Sequence, residues 1–151
     1  MVFKKIINDP YQVVDEMVEG IVLAHSDLLK FANQNKRAVV RKDAPIKNKV
    51  GILIGGGSGH EPAFLGYVGK GLADGAAIGN VFASPSPDPI VDATKAINAG
   101  KGVVYMYGNY AGDIMNFDMA AEMCEMDNIQ VKTVLVTDDI ASAPLDKKQE
   151  R

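Results

Sequence analysis

Residues 50–62 read VGILIGGGSGHEP, and this stretch decides which fold the chain is expected to adopt. The apolar residues 50–54 predict a buried strand, and the four glycines at 55–57 and 59 predict a loop that leaves backbone N–H groups open to a ligand. Pro62 suits the first turn of a following helix. A strand, a glycine loop and a helix start form a ligand-binding corner of an α/β sheet, with His60 at its tip.

Two familiar nucleotide motifs do not fit this stretch. A phosphate-binding loop requires Lys and then Ser or Thr after its last glycine, where this chain has His60 and Glu61. A dinucleotide fingerprint that begins at Gly55 would need its third glycine where His60 stands. We therefore do not expect a nucleotide site here. The alternative is a tight turn whose histidine merely caps a helix.

The composition limits the class of protein. A chain of 151 residues can build one domain with a core, and its net charge of −3 argues against a general nucleic-acid surface. No apolar run is long enough to predict a membrane span, and the first residues lack the pattern of a secretory signal. The single cysteine, Cys124, excludes an internal disulfide and is expected in the core. We expect a cytoplasmic protein.

Strand and helix patterns alternate along the chain. A helix is expected to open at Asp9 as N-cap, with Pro10 in its first turn. Further segments are predicted as strands at 38–41, 76–82, 103–107 and 131–136, helices at 62–73, 90–98 and 114–127, and loops at 83–89, 108–113 and 137–139. This order predicts an α/β fold with a mostly parallel or mixed sheet, helices on both faces and ligand loops at the carboxyl edge of the strands.

Because those loops share one edge of the sheet, His60, Ser84 and Asp113 are expected to face one cavity. An imidazole and a carboxylate together can transfer protons, and a hydroxyl with backbone N–H groups can bind small oxygen atoms. The pattern favours a short polyhydroxylated ligand over a large apolar one. Asp113 as N-cap of the helix at 114, and Ser84 as an ordinary loop residue, are the alternatives. No grouping has the spacing of a metal site.

The motif GGGSGHEP at 55–62 resembles the substrate-binding K subunit of dihydroxyacetone kinases. Similar stretches follow in the same order almost from end to end: KKIINDP at 4–10, RKDAP at 41–45, GYVGKG at 66–71, FASPSPD at 82–88, GNYAGDIMNF at 108–117 and VTDDIA at 136–141. The resemblance implies that residues 1–151 are the N-terminal α/β domain of a longer subunit, whose C-terminal half is absent here, and that the full-length subunit is a homodimer.

The resemblance also implies the chemistry, which is phosphorylation of a terminal hydroxyl of a short ketose. His60 would act as general base and Asp113 would orient the substrate. The implied substrate-binding residues are Gly56, Gly57, Ser58, Gly59, His60, Ser84, Gly108 and Asp113. A second histidine, which holds the ketose covalently, would lie beyond Arg151. The fragment alone is therefore expected to be inactive.

Two further implications concern specificity and the phosphate donor. Gly108 stands where members of the family specific for dihydroxyacetone usually carry lysine, so a four-carbon ketose is an alternative substrate to dihydroxyacetone. No cofactor is expected on this chain. ATP, or a phosphoryl-carrying ADP replenished by the phosphotransferase system, would be bound with magnesium by a separate nucleotide-binding L-type subunit or domain.

The family also contains proteins that are not enzymes. These relatives keep the fold and act as ketose-sensing coactivators that bind a regulatory partner. His60 and Asp113 together favour the kinase, whereas Gly108 and the short chain leave the coactivator open.

Overall fold

The computed structural model describes residues 6–144 and 146–147, so part of the opening motif at 4–10 lies outside the described residues. Six strands form one mixed sheet in the order β1-β2-β4-β3-β5-β6. The strands are β1 Leu29–Phe31, β2 Ala38–Arg41, β3 Gly51–Ser58, β4 Gly75–Val81, β5 Val103–Gly108 and β6 Val131–Val136. The helices are α1 Val13–Ala24, α2 Pro87–Ile97 and α3 Ala111–Met126, with a short 3₁₀ helix at Leu65–Tyr67.

Strands β3, β4, β5 and β6 are parallel, whereas β1 and β2 at the N-terminal edge of the sheet pair in the antiparallel direction. β3 pairs in parallel with β4 and β5, and β5 pairs in parallel with β6. β1 and β2 join antiparallel at the edge next to β4. The mixed α/β sheet expected from the sequence is confirmed. Its parallel part places the ends of β3, β4, β5 and β6 on one edge.

Each face of the sheet carries its own core because neighbouring strand residues point to opposite sides. On one face Val39 packs with the α1 stripe of Val14, Val18 and Val22. On the other face Val40 packs with α2 and α3, and Cys124 is buried there as expected. Burial of one such valine contributes about 1.5–3 kcal/mol relative to exposure. Helices therefore cover both faces.

A buried ion cluster fixes the start of β4 against β3. The Asp74 carboxylate accepts hydrogen bonds from the Arg41 guanidinium at 3.0 Å and from the Ile52 backbone N–H at 2.8 Å. Lys49 pairs with the same carboxylate, and Asp43 with Arg41 at 2.7 Å. Because Asp74 is buried, these partners are needed to hold its charge there.

Most predicted elements are confirmed, but the N-cap at Asp9 and the α-helix at 62–73 are wrong, and α2 and α3 begin three residues earlier than predicted. The α1 helix begins at Val13 with Gln12 as N-cap, and the Asp9 carboxylate instead accepts the Tyr11 N–H at 2.9 Å in a preceding turn. Residues 62–73 form turns around the 3₁₀ helix rather than an α-helix. Three glycines in that segment lower helix propensity, and Gly71 has a φ of +86°, outside the helical region.

Candidate active site at the carboxyl edge of the sheet

A cavity of about 810 Å³ opens where β3, β4, β5 and β6 end. It brings together residues from three of the segments that the sequence placed at one edge, the glycine stretch and the loops at 83–89 and 108–113. Five of the predicted binding residues line it: Gly57, His60, Ser84, Gly108 and Asp113. His60 and Asp113 therefore share one cavity, although more than fifty positions separate them in the sequence.

Three predicted binding residues do not line the cavity, because their groups are used within the protein. The Phe64 ring fills the space beside Gly56, at 2.2 Å from where a Cβ would lie. The Ser58 hydroxyl donates to the Gly79 carbonyl at 2.8 Å, and the Gly59 N–H donates to the Glu61 carboxylate at 3.0 Å. A part for Gly56, Ser58 and Gly59 in ligand binding stays a prediction.

The glycine stretch is a strand rather than an open loop. Gly55, Gly56 and Gly57 are buried in β3, which runs on to Ser58. A Cβ on Gly55 would lie 2.5 Å from the Ala77 carbonyl oxygen, and one on Gly57 would lie 2.6 Å from the Ala83 nitrogen. The glycines are needed because β4 and the turn after it pass too close for side chains. Gly55, Gly56 and Gly57 therefore lie in a strand and not in the open loop that the sequence predicted.

His60 follows β3, is exposed, and has two aromatic rings near its imidazole. Its ring centroid lies 5.1 Å from that of Phe82 and 6.5 Å from that of Phe64. The residue after Glu61 does not start an α-helix, and the N-cap of the next 3₁₀ helix is Phe64. The alternative in which His60 caps a helix is therefore wrong, and the imidazole borders the cavity.

Asp113 lies in the first turn of α3, and Tyr110 rather than Asp113 is the N-cap of that helix. The residue is only 7% exposed, and its Oδ1 has no hydrogen-bond partner among the described residues. Burial raises the pKa of this carboxyl, which the Ser84 hydroxyl and His60 partly oppose. A buried acceptor without a partner in a cavity wall is suited to accept a ligand hydroxyl.

Ser84 links the turn after β4 to α3. The Asn116 side-chain amide donates to the Ser84 hydroxyl at 3.3 Å, and the same hydroxyl donates to the Pro85 carbonyl at 3.3 Å. Ser84 is therefore more than an ordinary loop residue. It extends a polar row from Asn116 towards the Asp113 carboxylate.

Gly108 ends β5, and the ring of Tyr110 occupies the space beside it. A Cβ on Gly108 would lie 3.1 Å from Tyr110 Cδ2. The Tyr110 hydroxyl donates to the Asp139 carboxylate at 2.5 Å, which lowers the pKa of Asp139 and raises that of Tyr110. The sequence predicted only a loop at 137–139, which includes Asp139. The structure shows that it holds an aromatic side chain of the cavity wall.

Aromatic and aliphatic side chains form most of the remaining wall, which sequence reasoning missed. They are Ile54, Phe64, Tyr67, Phe82, Met106, Tyr107, Tyr110 and Val136. The volume lies in the range usual for small-molecule sites and exceeds the needs of a three- or four-carbon sugar. The polar side chains Ser84, Asp113 and His60 therefore share the cavity with a largely apolar wall that the predicted polyhydroxylated ligand did not suggest.

No grouping of three His, Cys, Asp or Glu side chains within the described ranges could hold a metal ion. None of the helices described is long and apolar enough to cross a membrane.

Comparison with known proteins places this arrangement in a family. Residues 19–151 match the model of the Dak1 domain, and the chain belongs to that family. The dihydroxyacetone-binding subunit DhaK of PTS-dependent dihydroxyacetone kinase 2 from Listeria innocua is 56% identical over 140 residues. That alignment covers 93% of this chain and 42% of the relative. The chain spans about two fifths of the length of the DhaK subunits it matches.

Solved structures agree with this assignment. The dihydroxyacetone kinase of C. freundii superposes with a TM-score of 0.86 at 36% identity, over 97% of this chain and 27% of that one. The same kinase in complex with AMP-PNP and Mg²⁺ matches with a TM-score of 0.84. A dihydroxyacetone kinase operon co-activator, Dha-DhaQ, matches with a TM-score of 0.77 at 33% identity, over 84% of this chain and 38% of that one.

Proposed function

We propose that this chain is the N-terminal, ketose-binding part of a K-type kinase subunit. The observation that carries the proposal is the unpartnered Oδ1 of Asp113 in the wall of the cavity that His60 also lines. A buried carboxylate oxygen without a donor is costly unless a ligand supplies one. A short ketose, with hydroxyls at both ends, provides such donors.

The cavity residues divide the work of the proposed reaction. His60 takes the proton from a terminal hydroxyl of the ketose as the phosphoryl group is transferred. Asp113 accepts a hydrogen bond from a substrate hydroxyl and orients it, with Ser84 beside it. Gly57 and Gly108 offer backbone groups only. Gly56, Ser58 and Gly59 support this wall and bind the substrate through main-chain groups.

The phosphate donor belongs to a partner in this proposal. ATP, or a phosphoryl-carrying ADP, is bound with magnesium on an L-type subunit or domain. The related C. freundii kinase forms a complex with AMP-PNP and Mg²⁺, and this chain matches only 26% of that kinase. The complete subunit is a homodimer in the cytoplasm, and a histidine outside this chain holds the ketose covalently. The short ketose is dihydroxyacetone or a four-carbon ketose.

The second candidate function is a coactivator that senses the same ketose without phosphorylating it. The similarity to Dha-DhaQ favours it, because that protein is named as a co-activator of a kinase operon. Both functions use the same cavity, so binding of ketose does not separate them. Turnover does.

Turnover by the complete subunit is the test. Purified with its nucleotide-bearing partner and a phosphate donor, it is expected to convert dihydroxyacetone or a four-carbon ketose to the phosphate. The 151-residue chain alone is expected to give no product. Ketose binding without turnover by the complete assembly, together with capture of a transcriptional regulator, would replace the kinase with the coactivator. Failure to bind any short ketose would remove both.

A further inference from the structure

The proton-accepting role proposed for His60 requires a fixed imidazole, yet no hydrogen bond to that imidazole exists among the described residues. Its ring contacts there are Phe82 and Phe64, at centroid distances of 5.1 Å and 6.5 Å, and it also interacts electrostatically with the Asp113 carboxylate. The nearer ring meets His60 at an interplanar angle of 58°. Ring packing is therefore the direct contact available to orient the imidazole.

Phe82 is an unusual residue for the place it holds. Its side chain is 71% exposed, so burial in the core does not explain a large apolar group there. Its φ is +51°, in the left-handed region that residues other than glycine, asparagine and aspartate rarely adopt. An exposed side chain and a strained backbone at one position indicate a constraint from function rather than from stability.

The glycines of β3 and the turn after it are fitted to Phe82. A Cβ on Gly59, which itself has a φ of +96°, would lie 2.8 Å from Cε1 of the Phe82 ring. A Cβ on Gly57 would lie 3.0 Å from the Phe82 carbonyl carbon. The Phe82 N–H donates to the Ser58 carbonyl at 2.9 Å, which ties the two segments together. Because Gly57 and Gly59 have no side chains, and because the Phe82 N–H bonds to Ser58, the Phe82 ring can lie against His60.

We propose that Phe82 is a positioning residue, which packs on the His60 imidazole and holds it towards the reacting hydroxyl. This inference rests on the proposed function of His60. The strain at residue 82 is kept because the left-handed backbone aims the ring at His60 from the neighbouring strand end. Phe82 itself makes no chemical step.

The test uses two variants that separate the ring from the backbone. Phe82→Gly removes the ring and also relieves the positive φ, so the domain is expected to fold at least as well as before. Phe82→Tyr keeps the ring and is expected to restore the native behaviour. Leu72→Ala, which changes another exposed apolar residue outside the cavity wall, is the matched control.

The first readout is NMR of the histidine imidazoles in the 151-residue chain. His25 and His60 are its only histidines, so His25 serves as an internal reference. Phe82→Gly should shift the His60 ring signals and broaden them while His25 stays unchanged. Phe82→Tyr and Leu72→Ala should leave the native His60 pattern. Unchanged His60 signals in Phe82→Gly would overturn the proposal. This readout requires no kinase activity, so it holds or fails independently of the proposed function.

The second readout is steady-state kinetics of the complete subunit with its nucleotide-bearing partner. Phe82→Gly should lower kcat by about 10- to 100-fold with little change in KM for the ketose, because misplacement of a catalytic group by about 1 Å costs this much. A loss only of affinity for the partner subunit, with kcat intact at saturation, would overturn the positioning role and make Phe82 a docking residue.

Discussion

The Tyr110 ring lies where a side chain at residue 108 would begin, with Cδ2 3.1 Å from the position of a Cβ on Gly108. The Tyr110 hydroxyl is fixed at the other end by the Asp139 carboxylate. The glycine therefore does not leave free space at this wall. Its missing side chain admits an aromatic ring, and that ring borders the cavity.

This relationship predicts how the length of the accepted ketose can be changed. Tyr110→Ala should open the wall beside Gly108 and raise the ratio of kcat/KM for a four-carbon ketose over dihydroxyacetone by about tenfold, the scale of one added methylene group in a pocket. The measurement is steady-state kinetics of the complete subunit with its partner. Tyr11→Ala, at an exposed aromatic outside the cavity wall, is the control. An unchanged ratio in Tyr110→Ala would show that this ring does not set substrate length.

Asp113 is predicted to lower stability at neutral pH while it serves the site. Burial raises its pKa in the folded state, so the folded protein binds this proton more tightly than the unfolded chain. Its contribution to the free energy of unfolding therefore becomes less favourable as pH rises from the unfolded pKa, about 3.9, through the folded one. Asp113→Asn should be more stable than the native chain at pH 7, and the difference should vanish below about pH 4.

Urea unfolding at the two pH values checks this sign. The control is Asp88→Asn, because Asp88 also lies in the first turn of a helix but is exposed. That control should be neutral or slightly destabilising, since the helix dipole favours a first-turn carboxylate. Equal or lower stability of Asp113→Asn at pH 7 would contradict the effect of burial.

A side chain at Gly57 is predicted to displace the turn after β4 and to lower the stability of the protein. Gly57→Ala should cost about 1–3 kcal/mol of unfolding free energy, because its Cβ would meet the main chain at Ala83 and force the turn to move. Gly69→Ala is the matched control, since nothing lies within 4 Å of a Cβ there. Thermal unfolding compares the two. A native melting temperature for Gly57→Ala would show that the turn yields without cost.

Asp74 is predicted to be the most sensitive member of the buried ion cluster. Asp74→Ala leaves the Arg41 guanidinium buried without its buried partner and should cost about 3–5 kcal/mol. Asp43→Ala removes the exposed partner of the same arginine and should cost much less. Denaturant unfolding of both variants measures the difference. Equal losses of unfolding free energy in the two variants would show that burial of the carboxylate partner of Arg41 does not decide the cost.

The order of elements from β2 onward was predictable because those strands carry apolar residues and are followed by loops. Residues 103–107 and 131–136 were assigned correctly for this reason. The short strand β1, LKF at 29–31, was missed because it has no apolar run. The segment at 62–73 was not assigned correctly, because its apolar residues mimic helical spacing while its glycines favour turns. Local pattern could not decide between them without the tertiary contacts of β3 and β4.

Sequence reasoning brought His60, Ser84 and Asp113 to one cavity because loops after parallel strands share an edge. It assigned the glycines at 55–57 to an open ligand loop, although they lie in β3. Glycine is required both where main chains approach closely and where a ligand approaches the main chain, so the sequence could not separate the two. It also missed Phe82 and Tyr110. The position of the Phe82 ring depends on its positive φ, and the position of the Tyr110 ring depends on the missing side chain of Gly108. The neighbouring Gly108 in the motif was the only available signal for Tyr110.

The most direct test of the account compares His60→Ala with His25→Ala in the complete subunit, assayed with its nucleotide-bearing partner, a phosphate donor and a short ketose. His25 is exposed at the end of α1 and is not among the residues that line the cavity. His60→Ala is predicted to lower kcat by about 10²- to 10⁴-fold, the usual worth of positioned proton transfer, while His25→Ala keeps the native rate. Native turnover by His60→Ala would contradict the assignment of this cavity as the site of phosphoryl transfer with His60 as its base.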